Sequence, residues 1–238
     1  TTVIDAGVAA DLSHPALVDA KTGRGTKNAA REPAMTPDQA RLALARGAEQ
    51  ATAALDRGAD VLALGEMGIG STASAALLMH RLAPAPLDDC VGVGTGHDAA
   101  GLAHKRAVLA RAAGRSDATA PLEVLRQFGG YEIAMMAGAI HGAADRNAPV
   151  IVDGFICTAA ALVAVRLRPA TRRVCLFAHR SAEAGHGRML QALDARPLLD
   201  LNLRLGEGTG ALLAAPLVRA AALLSDVASL DDVMAGRL

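Results

Sequence analysis

Tryptophan is absent from this sequence, and the other aromatics are scarce: one Tyr and three Phe in 238 residues. That scarcity argues against stacking bases on aromatic platforms, a common means of holding single-stranded nucleic acid. No excess of charge compensates. Basic and acidic residues balance at 24 each, so the chain carries no electrostatic footprint for DNA or RNA. Three cysteines, Cys90, Cys157 and Cys175, lie far apart and never as C-x-x-C. An odd count at that spacing speaks against a disulfide framework or a zinc knuckle and fits a reducing cytoplasm. No apolar run approaches the roughly 18 residues that a membrane span needs. The first residues show neither the basic flank nor the apolar core of a signal peptide.

What is present is small and aliphatic. Hydrophobic residues make up 52% of the chain, so disorder is not expected and the core must be built from Ala, Leu and Val. The length suits one domain, taken here as residues 1–238. Strand-like and helix-like patterns alternate, which predicts an α/β domain with a mostly parallel, Rossmann-like sheet flanked by helices. "DVLALGE" (Asp60–Glu66), "APVIVDG" (Ala148–Gly154) and "RRVCLFAH" (Arg172–His179) read as strands covered on both faces. Thr36-Pro37-Asp38-Gln39 is a capping box with Pro at the first helical position, and Gly58 is a suitable stop for the helix it opens. Further helices are predicted over Thr72–Leu82, Glu132–Ala144, Ile156–Leu167 and Ala182–Leu193, and after Glu207, where Pro216 is expected to kink the helix. Ala83–Ala100 reads as the longest loop. The start, "TTVIDAGV", lacks Met and enters strand-like residues at once, so upstream sequence is expected.

Several predicted strands end in an acid close to glycine: Asp5 in "VIDAG", Glu66 in "ALGEMG" and Asp153 in "IVDG". Parallel sheets bind ligands beyond the carboxyl ends of their strands. Strand-end acids also serve as turn formers and caps, but three together favour a site at one rim. "GEMGIGSTASAALL" (Gly65–Leu78) is nearly a P-loop, with Gly65 and Gly70 correctly spaced but Ser71 where the lysine belongs. A nucleoside triphosphatase is therefore disfavoured, while a phosphate monoester would suit the helix start. "VGVGTGHDAAGLAHK" ends in Lys105, one of three lysines against 21 arginines, and a lysine after a glycine loop can complete a phosphate site. In "FAHRSAEAGH", His179, Glu183 and His186 would suit a metal if they shared a helix face. An anion-binding turn around Ser181 is the better reading. Glu207 in "LGEGTG" has glycines on either side, room for a flat ligand, and a helix start beside it. It is either a simple helix-terminal carboxylate or a general base.

Taken in order, "GTKNAAREPAMT", "LGEMGIGSTASAA", "VGTGHDAAGLAHK", "VDGFICTAAAL", "HRSAEAGH" and "LRLGEGTGA" resemble the nicotinate-nucleotide–dimethylbenzimidazole phosphoribosyltransferases of cobalamin lower-ligand assembly. The resemblance runs over essentially the whole chain. It implies transfer of the phosphoribosyl group of nicotinate mononucleotide to 5,6-dimethylbenzimidazole by a homodimeric, cytoplasmic enzyme that uses no metal or other cofactor. It assigns the catalytic base to Glu207, with Leu205 and Gly206 beside the acceptor. It places Glu66, Gly68 and Gly70 along the nucleotide, Lys105 and Ser181 on its phosphate, and Asp153 and Gly154 around the ribose. Residues from roughly 200 to 238 would contribute to a small helical subdomain. Two positions depart from the family pattern: Ser71, where Asn is usual, and Ala178, where Ser is common. The resemblance also implies about a hundred further residues upstream, carrying part of the benzimidazole pocket.

Overall fold

The computed structural model describes residues 1–94, 96, 98–224, 227 and 230–235. Two short strands, β1 (Val3–Asp5) and β2 (Leu17–Asp19), form a parallel pair of their own. The main sheet has three parallel strands in the order β3 (Leu62–Leu64), β4 (Val150–Val152), β5 (Cys175–Phe177). All three carboxyl ends therefore lie at one edge. Leu198 and Leu199 extend this edge, donating their N–H groups to the carbonyls of Phe177 and Ala178 at 2.9 Å.

Side chains alternate across the sheet as a pleat requires. Val150, Val152, Cys175 and Phe177 enter the large core, with Leu62 and Leu64 packed against it. That core is filled by α1 (Pro37–Asp56), α2 (Ser71–Leu82), α5 (Pro121–Phe128), α6 (Tyr131–Asp145) and α7 (Phe155–Leu167). On the opposite face Ile151 meets Ala178, Ala211 and Ala214, the last two from α9 (Thr209–Leu223). The remaining helices are α3 (Leu87–Cys90), α4 (Ala99–Gly114), α8 (His186–Ala192) and α10 (Leu230–Met234).

The local signals are realised in detail. Thr36 Oγ1 accepts the Gln39 N–H at 3.1 Å and Gln39 Oε1 accepts the Thr36 N–H at 2.9 Å, a reciprocal cap that starts α1. Helices α1 and α6 approach until backbone meets backbone. A methyl group on Gly47 would run into the Met135 carbonyl, and one on Gly138 into that of Leu44. Glycine costs a helix about 1 kcal/mol relative to alanine, so these two positions exchange helical propensity for proximity.

Four expectations are corrected. Asp5 does not join the rim of the main sheet, because β1 belongs to the separate pair. Its buried carboxylate instead takes the Gly7 and Val8 N–H groups at 2.9 and 2.8 Å and pairs with Lys21 at 2.9 Å. The stretch before β5 is a 3-10 helix, Pro169–Val174, rather than the start of a strand: Thr171 N–H donates back to the Arg168 carbonyl at 3.0 Å and Cys175 N–H to that of Arg172, so these bonds are made locally instead of in a ladder. The helix expected from Ala182 begins only at His186, after the left-handed Gly185. The Ala83–Ala100 segment holds α3 and the first two residues of α4, opened by Asp98, whose side chain accepts the Gly101 N–H at 2.7 Å.

Candidate active site

The carboxyl ends of β3, β4 and β5 deliver Glu66, Asp153 and His179 to one edge, and the loop before α9 folds over it. Glu207 stands in that loop, exposed to solvent, at φ 58°, between Gly206 at 84° and Gly208 at 79°. Three successive left-handed residues are unusual, and the middle one, having a Cβ, carries about 1–2 kcal/mol of strain. Among the described residues its carboxylate has no hydrogen-bond or ion-pair partner. The backbone beneath it is held tightly. Gly65 lies so close that a Cβ there would come within 2.5 Å of the Gly208 nitrogen and 2.7 Å of the Glu207 carbonyl carbon.

Asp153 supports the loop from below. It is only 2% exposed, and Oδ2 accepts the Gly208 N–H while Oδ1 accepts the Ala211 N–H, both at 3.0 Å. His179 Nε2 lies 3.4 Å from Oδ1. The Asp153 contact holds the His179 imidazole toward its charged form, above the usual range, against the opposing effect of burial. Gly154 follows, and a Cβ on it would lie 3.1 Å from His179 Nε2.

Glu66 is half-buried, and its Oε2 accepts the Gly68 N–H at 2.8 Å. Its other oxygen reaches toward Gly206, 4.0 Å from where a Cβ on that residue would stand. Burial, reinforced by the nearby Glu132 carboxylate, raises the Glu66 pKa, with the Gly68 N–H and Ser71 opposing. Burial likewise raises that of Glu132, in the first turn of α6. The buried Ser71 hydroxyl faces both carboxylates without a well-aligned hydrogen bond to either. Gly68 leaves room for that hydroxyl, and Gly70, at φ 84°, opens α2 with no side-chain cap. The start of this helix thus keeps its N–H groups free of any capping side chain.

Lys105 reaches the same helix start from α4. Its Nζ donates to Thr72 Oγ1 and to the Gly92 carbonyl, both at 3.0 Å. Burial lowers the Lys105 pKa, and Glu183 works against that. Glu183 also lies 3.7 Å from the Arg204 guanidinium, which donates to the Gly94 carbonyl at 2.6 Å. Ser181 is buried in the turn alongside, its hydroxyl accepting the Glu183 N–H at 3.2 Å and its own N–H donating to His186 Nδ1 at 2.8 Å. His186 Nδ1 is therefore an acceptor, and Nε2, 2.9 Å from Thr158 Oγ1, carries the proton. Burial and the neighbouring His179 push the His186 pKa down to about 3. His179, Glu183 and His186 point to different partners and share no helix face. Thr95 and His97 of the glycine loop lie outside the described residues.

Two adjoining groups result. Glu66, Gly65, Gly206, Glu207 and Asp153 form one, and Thr72, Gly92, Lys105, Ser181 and Glu183 the other, with the start of α2 between them. A cleft of about 300 Å³ runs past Lys27, Gly70, Ser71 and Glu132, and another of about 510 Å³ past Asp89, Ser181 and Arg188. Glu207 and the exposed Met67 and Leu205 stand outside both. Glu132 and Arg204 escaped the sequence reading. The pair Gly129–Gly130 before "YE" was the available signal for the first, because it repeats the glycine-acid-helix pattern of Glu207. The arrangement offers helix N–H groups and a lysine for an anion, and an unpartnered carboxylate for a proton.

Residues 1–233 match the family DBI_PRT, described as phosphoribosyltransferase. The nicotinate-nucleotide–dimethylbenzimidazole phosphoribosyltransferase of Ralstonia nicotianae is 54% identical over 95% of this chain and 66% of its own length. That of Cupriavidus taiwanensis is 53% identical with the same coverage. The chain thus spans just under two thirds of the length of these relatives. A crystal structure of CobT from Thermus thermophilus superposes with a TM-score of 0.92 at 45% identity, covering 97% of this chain and 70% of that one. With the match extending from the first strand into α10, the chain belongs to the DBI_PRT phosphoribosyltransferase family.

Proposed function

We propose that this chain transfers the phosphoribosyl group of nicotinate mononucleotide to 5,6-dimethylbenzimidazole, giving α-ribazole 5'-phosphate and nicotinate for cobalamin assembly. The observation that carries the reading is Glu207, unpartnered on its left-handed turn at the carboxyl edge of the sheet, beside Glu66. In the reaction one benzimidazole nitrogen attacks ribose C1'. The new N–C1' bond forms as the bond to nicotinate breaks, and that electron pair neutralises the pyridinium nitrogen. The proton on the other benzimidazole nitrogen passes to the Glu207 carboxylate. General-base help of this kind is worth roughly 10²–10⁴-fold. The N–H groups that open α2, with Lys105 and Ser181, hold the phosphate. Glu66, Gly68 and Gly70 line the nucleotide, while Leu205 and Gly206 flank the acceptor ring. Asp153 and Gly154 shape the ribose pocket from beneath, since the Asp153 oxygens are engaged within the protein.

The working form is a homodimer in the cytoplasm. The exposed Leu212, Leu213 and Leu217 of α9 support pairing, and three buried, unpaired cysteines support a reducing compartment. Among the described residues no helix is long and apolar enough to cross a membrane.

Incubation with nicotinate mononucleotide, with and without dimethylbenzimidazole, tests the reading. Nicotinate release that requires the benzimidazole and falls at least about 100-fold in Glu207→Gln is expected. Release indifferent to the benzimidazole, or tight nucleotide binding with no release, would overturn it.

A further inference from the structure

We propose that Asp153, backed by His179, is a positioning residue that fixes the direction in which Glu207 is presented. This role rests on the reading of Glu207 as the base.

The Glu207 loop has little means of holding itself. Gly206, Glu207 and Gly208 all need the left-handed region, which glycine adopts freely, but glycine has no side chain to cap a helix. Helix α9 consequently starts at Gly208 without a cap of its own. Within the loop the backbone bonds are Thr209 N–H to the Gly206 carbonyl at 3.0 Å and Leu212 N–H to that of Gly208 at 2.9 Å. The N–H groups of Gly208 and Ala211 are satisfied by Asp153 instead, from the end of β4.

A carboxylate at that point serves two ends at once. It satisfies two of the first N–H groups of α9, and its charge complements the positive end of the helix. Because each oxygen takes one N–H, the two bonds resist rotation of the loop as a single bond would not. His179 locks the other side. Its Nε2 lies 3.4 Å from Oδ1, and its ring fills the space that Gly210 leaves vacant, so that any Cβ at residue 210 would collide with it. Asp153 in turn holds the imidazole toward its charged form. Glu207 has nothing of its own to hold it, so the anchored backbone on either side sets where its carboxylate points.

Asp153→Asn retains the volume but places an NH₂ group against one backbone N–H. Its kcat is expected to fall about 100-fold, the scale of a displacement near 1 Å, with any rise in KM for the mononucleotide smaller than that fall. The Asp153→Asn/Glu207→Gln double variant should be no slower than Glu207→Gln alone, because Asp153 acts through that residue. Amide exchange gives a readout independent of turnover. The Gly208 and Ala211 amides should be protected in the full chain and lose protection in Asp153→Asn, while the middle of α9 and the melting temperature change little. If the two substitutions multiply, or KM rises while kcat holds, or the two amides exchange alike in both proteins, the positioning role is refuted. Full turnover in Glu207→Gln would instead refute the assignment of the base, with the exchange result still deciding whether Asp153 clamps the loop.

Discussion

Replacing Gly65 by alanine adds one methyl group at the place where the end of β3 meets the Glu207 loop. The new carbon would stand 2.5 Å from the Gly208 nitrogen and 2.7 Å from both the Glu207 carbonyl carbon and the Gly208 α-carbon. Carbon–carbon contacts are comfortable only at about 3.5–4.0 Å, so roughly 1 Å must be found. The colliding atoms are all backbone, and none can swing aside as a side-chain tip would. Neither partner yields easily: Leu64 is registered on Val152 in the ladder, and Gly208 is tied to Asp153. The strain therefore falls on the left-handed turn, and Glu207 moves with it. A displacement of about 1 Å is worth roughly 10²-fold in rate. The cost in stability is smaller. Gly65 has no left-handed φ, so alanine regains about 0.4–1 kcal/mol through the unfolded chain against an overpacking cost of about 1–3 kcal/mol. Taken at their midpoints these leave a net loss of about 1.3 kcal/mol, and at about 2–4 °C per kcal/mol for a chain of this size the melting temperature should fall by about 3–5 °C. Steady-state nicotinate release and a thermal melt on the same preparation measure both. A variant within threefold of the parent rate and unchanged in melting temperature would show that these backbones do not bear on each other, and the account of how Glu207 is held would fail.

Two further outcomes concern the scaffold. Gly138→Ala would place a carbon 2.7 Å from the Leu44 carbonyl carbon and 2.8 Å from its α-carbon. The clash should exceed the gain in helix propensity and destabilise the protein by about 2 kcal/mol, read as a melting temperature lower by about 4–8 °C; an unchanged or raised value would contradict the close α1–α6 contact. His186 stays neutral in the folded state down to about pH 3, whereas in the unfolded chain it takes a proton near pH 6.5. The unfolded state thus binds more protons between those values. The stability that neutral His186 contributes is present above about pH 6.5 and is lost as pH falls toward 3. Melts from pH 7 to pH 4 should decline more steeply for the parent than for His186→Gln; parallel curves would refute the buried neutral imidazole.

Much of this was legible in the chain because the signals are local. The Thr36–Gln39 box needs only four residues to declare a helix start, and the β4 core, Val150–Val152, announces a buried strand by its unbroken apolar run. Glycines on both sides of an acid, with a helix start beside it, single out Glu207 as having room for a flat ligand, whereas the positive φ of all three residues emerges only in the fold. The losses come where distant parts decide. Asp5 and Asp153 look alike in sequence, each an acid ending an apolar strand, yet one is taken by Lys21 and the other by a helix start far along the chain. Helix α4 escaped notice because its apolar residues form no continuous stripe and only Leu109, Ala112 and Ala113 are buried. Glu132 reads only as the start of a helix, and the two glycines ahead of it cannot tell that Glu66 and Ser71 become its neighbours.

Tyr131, the chain's single tyrosine in a sequence without tryptophan, is 3% exposed at the first turn of α6. Its ring packs against the backbone of Gly7 and its hydroxyl against that of Gly23, the two segments that follow β1 and β2. The chain therefore carries one tyrosine fluorophore, wedged where the small two-stranded sheet docks onto the helical body. Excited at wavelengths that the three phenylalanines do not absorb, its emission and its quenching by added iodide report the seating of that docked piece without a label.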